Sequence, residues 1–335
     1  MSSNNKKIRK WLTDFDVEFD NSVELSVFSC FKSGGTVDYI LFPKEQAQLT
    51  KCICWLNQEK IPFKVIGETS NLMFLDDVNY GCLVSTKKMS CLKHNSETEE
   101  IVADCGAPLP MLARYALSRS ITGFEGLEGI PGTVGAAVFM NAGAYGDDIK
   151  KTLNSVDVVL EDGSIKKYRA DEVELSHRNS IFRTKKRTEI ILRCYFKGKR
   201  GDAFSIYNKM SLLHAKRHKY QEFMYPTLGS IYSGSIYRSL AKKDLFFKLI
   251  SISYYLVFYR WKLFRRESPD NRKWLNDIAV KRFGITYRVQ PFSNKDMNTL
   301  VNNGHHTDEL LDYITQLQQL IGDEIPIENE IVEKI

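Results

Sequence analysis

Little in this 335-residue chain has the spacing of a metal or thiol-redox site. Its seven cysteines, at 30, 52, 54, 82, 91, 105 and 194, are odd in number and scattered through apolar stretches. Cys52 and Cys54 stand one residue apart with no second pair elsewhere, so zinc-type and thioredoxin-type spacings are absent. Six histidines include His214 and His218, four apart, but the run HAKRH lacks the glutamate of a zinc-protease helix. It reads instead as a charged, solvated helix face, and no metal site is expected. The polar start MSSNNKKIRKW has no apolar signal core, which with the cysteine usage points to a reducing cytoplasm. No repeat with a period of about 20–50 residues is visible, which argues against a solenoid. No nucleic-acid motif occurs, and the basic run at 183–200 reads as solvated surface.

What is present is the composition of a folded protein. Aromatic residues at 12% and charged residues at 26% exclude a wholly disordered or fibrous chain. The length suggests two domains, or three small ones. Lys+Arg 47 against Asp+Glu 41 leaves +6, a mild excess that favours an anionic ligand. Residues 36–85 read as strand, helix, strand: TVDYILFP is β-rich, the stretch after it has helical periodicity, and IPFKVIG is a short apolar run. CLVSTKKMSCL and IVADCGA read as further strands and LPMLARYALSRSI as a helix with Leu112, Tyr115 and Ala116 on one face. SVDVVLEDGSIKKYR predicts a hairpin about its Asp-Gly pair. A helix is expected within FSIYNKMSLLHAKRHKYQEF, opening a second domain, and a last helix from a Thr307/Asp308 cap precedes a terminal strand.

Residues 242–266 are unusual. Leu245, Leu249, Ile252, Leu256 and Leu263 can share one helical stripe flanked by Lys248, Arg260 and further arginines. The uncharged core Leu249–Tyr259 has eleven residues, well short of the roughly 20 that span a bilayer. Packing on its own domain is the favoured expectation, with peripheral contact to a membrane interface as the alternative.

Two glycine-bearing stretches point to chemistry. Gly67, Glu68, Thr69, Ser70, Asn71 and Leu72 follow an apolar strand directly, and such a turn offers backbone N–H groups and a small hydroxyl to a phosphate. It is neither a Walker loop nor G-x-G-x-x-G, so a plain turn is an equal reading. The second, GFEGLEGIPGTVGAAVFMNAGAYGDDI (123–149), includes Gly129, Gly132, Gly135, Gly143 and Gly146 among small residues. A packed helix would not use so many glycines, since each costs roughly 1 kcal/mol relative to alanine. The segment lets backbone approach a large flat group or a diphosphate.

The run GIPGTVGAAVFMNAGAYG resembles the flavin-binding signature of the UDP-N-acetylenolpyruvoylglucosamine reductases, the MurB family. VIGETSNLMFLDD resembles that family's pyrophosphate loop, and HRNSIFRT, YPTLGSIY, NTLVNNGHHTDELL and IPIENEI match in the same order. The resemblance implies an α+β chain with the FAD-binding fold of the vanillyl-alcohol oxidase/PCMH type. Two subdomains (1–85 and 86–200) would be followed by an α+β substrate-binding domain (201–325, with an insertion near 236–270) and a terminal strand (326–335). It further implies noncovalent FAD, NADPH as electron donor and a UDP-sugar with an enolpyruvyl group as acceptor, in a peptidoglycan precursor step. The oligomeric state stays open.

The resemblance assigns cofactor contacts to Gly67, Glu68, Thr69, Ser70, Asn71, Leu72, Gly129, Pro131, Gly132, Thr133, Gly135, Ala136, Asn141, Ala142, Gly143 and Ala144. It assigns Arg178 to steadying an enolate, Ser230 to delivering a proton, and Glu330, the second glutamate of IENEI, to the carboxylate working with that arginine. The sequence departs from the family at several places. The run Gly229-Ser230-Ile231-Tyr232-Ser233-Gly234 lacks the basic residue and proline that usually follow the catalytic Gly-Ser. His177 replaces a common tyrosine, Ala136 replaces a common glycine, Glu68 and Thr69 vary the phosphate loop, and PFSNKDMNTLVNNG loses the usual Ser-Glu-Lys-His pattern. They leave as alternatives a paralogue acting on another nucleotide sugar or acceptor, and a FAD-binding protein without this activity.

Overall fold

The computed structural model describes residues 3–261 and 271–335. The β-rich run Thr36–Phe42 sits inside a four-stranded sheet. Glu18–Glu24 pairs with it antiparallel, and Asn79–Ser85 and then Phe63–Ile66 continue the sheet in parallel. The helix Gln46–Gln58 runs between two of these strands in the chain and buries Leu49, Cys52, Ile53 and Leu56. This accounts for a cysteine among apolar residues: Cys52 is a small hydrophobe, and burial pushes its thiol up to about 12.

A second sheet has five antiparallel strands in the order Ile165–Arg169, Leu153–Val159, Ile190–Phe196, Glu100–Asp104, Leu92–Asn95. The expected hairpin forms, with Gly163 N–H donating to Leu160 O and Leu160 N–H to Ser164 O. The helix Leu109–Ser118 buries Leu109, Leu112, Ala113 and Ala116. One apolar core joins the two sheets, bringing Leu41 and Val84 of the first together with Ala103, Val156 and Cys194 of the second. On its other face the first sheet buries Val37, Ile40 and Leu83 with Val332 of the terminal strand.

A separate core forms from the small sheet Thr227–Ser230, Asp296–Val301, Phe292–Ser293 and the helices around it. Phe31 and Met73 from the first half enter this core and join the two parts. The helix Ala203–Tyr220 starts with the Asp202 carboxylate accepting the Ser205 N–H at 2.8 Å, and it buries Ile206 and Met210 in the first core. The last helix, Thr307–Ile321, is capped by His306 rather than by Thr307 or Asp308. Thr307 instead gives its N–H to Asp76 Oδ2 and accepts the Asp76 N–H on its hydroxyl, a reciprocal cap across the fold.

The segment 242–266 divides at Asp244, just ahead of the expected stripe. Helices Ile236–Lys243 and Leu245–Tyr255 meet there, and a π-helical turn Leu256–Arg260 follows. Packing uses the face carrying Phe247 and Tyr254, whereas Leu245, Leu249 and Ile252 of the expected stripe face solvent. Leu263 lies outside the described residues.

Candidate functional site

The loop 67–72 follows the strand Phe63–Ile66, and Leu72 opens the strand Leu72–Phe74. Thr69 is buried in the left-handed region at φ 60°, where its hydroxyl accepts the Cys30 N–H at 2.9 Å. Among the described residues, Glu68, Thr69 and Ser70 spend no backbone N–H on a protein carbonyl. Those donors remain for an anion. The second glycine segment faces this loop directly. A Cβ on Gly67 would lie 2.4 Å from Thr133 Oγ1, and Ser70 Oγ donates to Pro131 O at 3.1 Å.

Thr133 caps the short helix Val134–Phe139 by accepting the Ala136 N–H, and Ala136 itself is exposed. Gly135 points the other way: it is buried against Cys105, whose carbonyl takes its N–H at 2.7 Å. Ala142 is buried as well, while Gly143 and Ala144 pair with Asp147 and Asp148. Asn141, at φ 44°, accepts the Lys150 N–H and donates to Ser176 O. That second bond reaches the turn bearing Arg178.

Arg178 sits at φ 52°, and its Nη1 donates to Gly143 O at 3.1 Å. Its Nε lies 2.6 Å from Glu328 Oε1, an ion pair by distance whose N–H is not aligned on the oxygen. Glu330 is held elsewhere, by the Lys64 ammonium. The expected partnership of Arg178 with the second glutamate is therefore not the one this structure forms. The chain bends at Asn329, between the two glutamates, so Glu328 reaches the arginine while Glu330 opens the terminal strand and reaches Lys64.

Ser230 ends the strand Thr227–Ser230 and is exposed. The terminal strand Glu330–Val332 lies parallel to Leu72–Phe74, and the residues before it tie the regions together. Glu328 N–H donates to Ile231 O at 2.7 Å, and Asn329 Nδ2 reaches both Asn71 Oδ1 (2.9 Å) and Leu228 O (3.1 Å). Loop 67–72, Arg178 and the Ser230 strand thus meet on one terminal segment, with no hydrogen bond joining Ser230 to Arg178 or Glu330.

One functional candidate escaped the sequence reading. His214, Ala215, Lys216 and His218 of HAKRH are exposed, as expected, but Arg217 between them is only 4% exposed, and its Nε and Nη2 are buried with no hydrogen-bond partner. It faces Gly129, at φ 79°, where a Cβ would stand 3.0 Å from its Cδ, and its guanidinium lies 5.5 Å from the Tyr145 ring. Burial holds its pKa below the usual arginine value. The signal was present in Ile206, Met210, Leu213 and Arg217, a buried stripe at helical spacing that ends in a cation.

The same helix binds the glycine segment through charge. Lys209 Nζ contacts Glu125 Oε2 (3.2 Å) and Asp147 Oδ2 (3.1 Å), while Glu128 receives His214 Nδ1 and Arg114 Nη2, each at 2.9 Å. Burial pushes the three carboxyls up. Hydrogen bonds outweigh it, from Thr122 and backbone at Glu125, Arg114 and His214 at Glu128, and Lys209 and Lys151 at Asp147, so all three stay below their ordinary values.

A cradle of facing loops, unspent N–H groups and a buried unpaired cation fits a large anionic group with a diphosphate. The class is that of FAD-binding proteins: residues 37–169 match the family described as FAD binding domain. The fold is similar to that of UDP-N-acetylenolpyruvylglucosamine reductase (MurB) from Thermus caldophilus, with a TM-score of 0.66 and 20% identity, covering 94% of this chain and 98% of that one. UDP-N-acetylenolpyruvoylglucosamine reductase from Streptococcus thermophilus is 33% identical over 226 residues, 68% of this chain and 72% of the relative. The Streptococcus agalactiae enzyme of the same name is 34% identical over 227 residues, 68% and 74% of the two chains. The chain belongs to the UDP-N-acetylenolpyruvoylglucosamine reductase family.

Proposed function

We propose that the protein is a FAD-dependent reductase that takes electrons from NADPH and reduces the enolpyruvyl group of UDP-N-acetylglucosamine enolpyruvate, giving UDP-N-acetylmuramate. Noncovalent FAD, when bound, supplies the hydride for the methylene carbon. The facing segments 67–72 and 129–133 would hold its diphosphate through the N–H groups of Glu68, Thr69 and Ser70, which no protein carbonyl uses. Arg217 is the buried cation with N–H groups still to offer an anionic part of the same group.

Hydride addition leaves an enolate beside a carboxylate, which needs a fixed positive charge and a proton. Arg178 is the residue for the charge, because Gly143 O and Glu328 fix its guanidinium before substrate arrives. Ser230 would hand a proton to the α-carbon. A serine hydroxyl is a weak acid, so its proton must be replaced; Ser230 is exposed, and solvent can return the proton there. The observation that carries this reading is the terminal segment 328–330, which bonds to Asn71 and the Ser230 strand while its Glu328 pairs with Arg178.

The test is an anaerobic titration of the FAD-loaded protein. NADPH bleaches the flavin absorbance, and the enolpyruvyl UDP-sugar restores it. Bleaching without recovery moves the search to another acceptor, as Ser233 and Gly234 would allow. Failure to take up FAD overturns the reading.

A further inference from the structure

We propose that the solvent-facing side of the helix Leu245–Tyr255 docks on an anionic lipid surface. Leu245, Leu249, Ile252 and Leu256 fall within about 60° of one another at 3.6 residues per turn. This is an aliphatic stripe, and its first three members point outward: Leu245 is 71% exposed, Leu249 57% and Ile252 46%, while Leu256 is half-buried. Tyr255 and Trp261 are exposed at the following end. Aromatic rings of that kind favour the boundary between headgroups and acyl chains. The helix does not need this face for folding, because Phe247 and Tyr254 on the opposite side enter the core.

Charge selects the occupant. From Leu245 to Trp261 the chain has no aspartate or glutamate, and Lys248 and Arg260 are exposed on either side of the stripe. The acid that starts the helix, Asp244, is engaged twice, capping the Phe247 N–H at 2.7 Å and pairing with Arg282 Nη2 at 2.7 Å. Arg282 in turn lies over the Phe246 ring. A face of aliphatic side chains, flanked by cations and with no acid along its own length, complements anionic headgroups above an apolar layer. Among the described residues no helix is long and apolar enough to cross a membrane, so the contact is one of lying on the surface.

The experiment is co-sedimentation of the full chain with phosphatidylcholine vesicles with and without phosphatidylglycerol, at low and high salt. The protein is expected to pellet with the phosphatidylglycerol vesicles and to be released by salt. Leu249→Gln/Ile252→Gln should weaken partition by about tenfold or more, and Lys248→Glu/Arg260→Glu should abolish the preference for anionic lipid. All four positions lie off the core, and an unchanged circular dichroism spectrum verifies that the variants fold. No pelleting with anionic vesicles at low salt, or pelleting indifferent to both double variants, overturns the proposal. So does a wild-type dimer by light scattering that Leu249→Gln/Ile252→Gln makes monomeric, which would assign the face to a second copy of the chain.

Discussion

Arg178 and Glu328 form an ion pair at 2.6 Å, and the pair is held at both ends. Gly143 O fixes the arginine, and the bond from Glu328 N–H to Ile231 O fixes the glutamate. Glu328 thereby governs where the guanidinium lies. If Arg178 supplies the charge for an enolate, Arg178→Ala lowers kcat by about 100- to 1000-fold. Glu328→Gln lowers it less, because the arginine remains, still held by Gly143 O, but loses its charged partner. The double variant should be no slower than Arg178→Ala alone, since both changes act through one group. Steady-state kinetics of the four proteins decide this; strictly additive losses would refute the coupling.

The close approach of Gly67 to Thr133 gives a second prediction. Gly67→Ala places a methyl 2.4 Å from Thr133 Oγ1, so one of the two facing segments must move. Overpacking of this kind costs about 1–3 kcal/mol, and FAD affinity should fall with it because both segments line the cradle. Thr133→Ala removes the two nearest clashing atoms. Gly67→Ala/Thr133→Ala is therefore expected to regain part of the thermal midpoint, though not the FAD affinity. A Gly67→Ala protein with unaltered melting and flavin binding would show that the segments are not in contact.

How far the sequence discloses these relationships depends on their range. The hairpin at 153–169 was legible because an Asp-Gly turn joins two alternating runs, both local signals. The helix at 203–220 was legible by period, but not the burial of Arg217. Burial of a cation depends on what faces it, here Gly129 and Tyr145 from a distant segment. The choice between Glu328 and Glu330 is of the same kind. Lys64, which holds Glu330, lies 266 positions away, and only the parallel pairing of Glu330–Val332 with Leu72–Phe74 brings the terminal strand beside its region. The stripe at 245–256 shows the reverse case. Its period was plain, yet the face that enters the core is the opposite one, carrying Phe247 and Tyr254, and period alone does not say which of two apolar faces is buried.

The charge clamp under the glycine segment makes stability depend on pH. Glu125, Glu128 and Asp147 have folded pKa values below their ordinary ones. A depressed carboxyl contributes stability that is fully present above its unfolded value and is lost as pH falls through the folded value. With unfolded values near 4, the thermal midpoint should hold above about pH 5 and drop steeply below about pH 4. Lys209→Met removes the cation shared by Glu125 and Asp147. It should lower the midpoint at neutral pH and flatten the acid decline. A decline as steep as that of the unmodified protein would place the acid sensitivity elsewhere.

Arg217 supplies the prediction that best separates cofactor binding from folding. A buried cation with unpartnered Nε and Nη2 is costly to the empty protein, and the Tyr145 ring offsets only part of that cost. Arg217→Met keeps the side chain's length and apolar stem while removing the charge. If the cation serves only the fold, its loss destabilises the FAD-free protein. If it waits for an anionic part of FAD, the FAD-free protein melts at an equal or higher temperature while FAD binds about 10- to 100-fold more weakly. Arg217→Lys should fall between, since it keeps the charge without the planar fork. Melting the FAD-free proteins and titrating FAD by fluorescence give the two quantities separately. A variant that loses melting temperature and retains FAD affinity would make Arg217 a structural residue and leave the diphosphate to loop 67–72 alone.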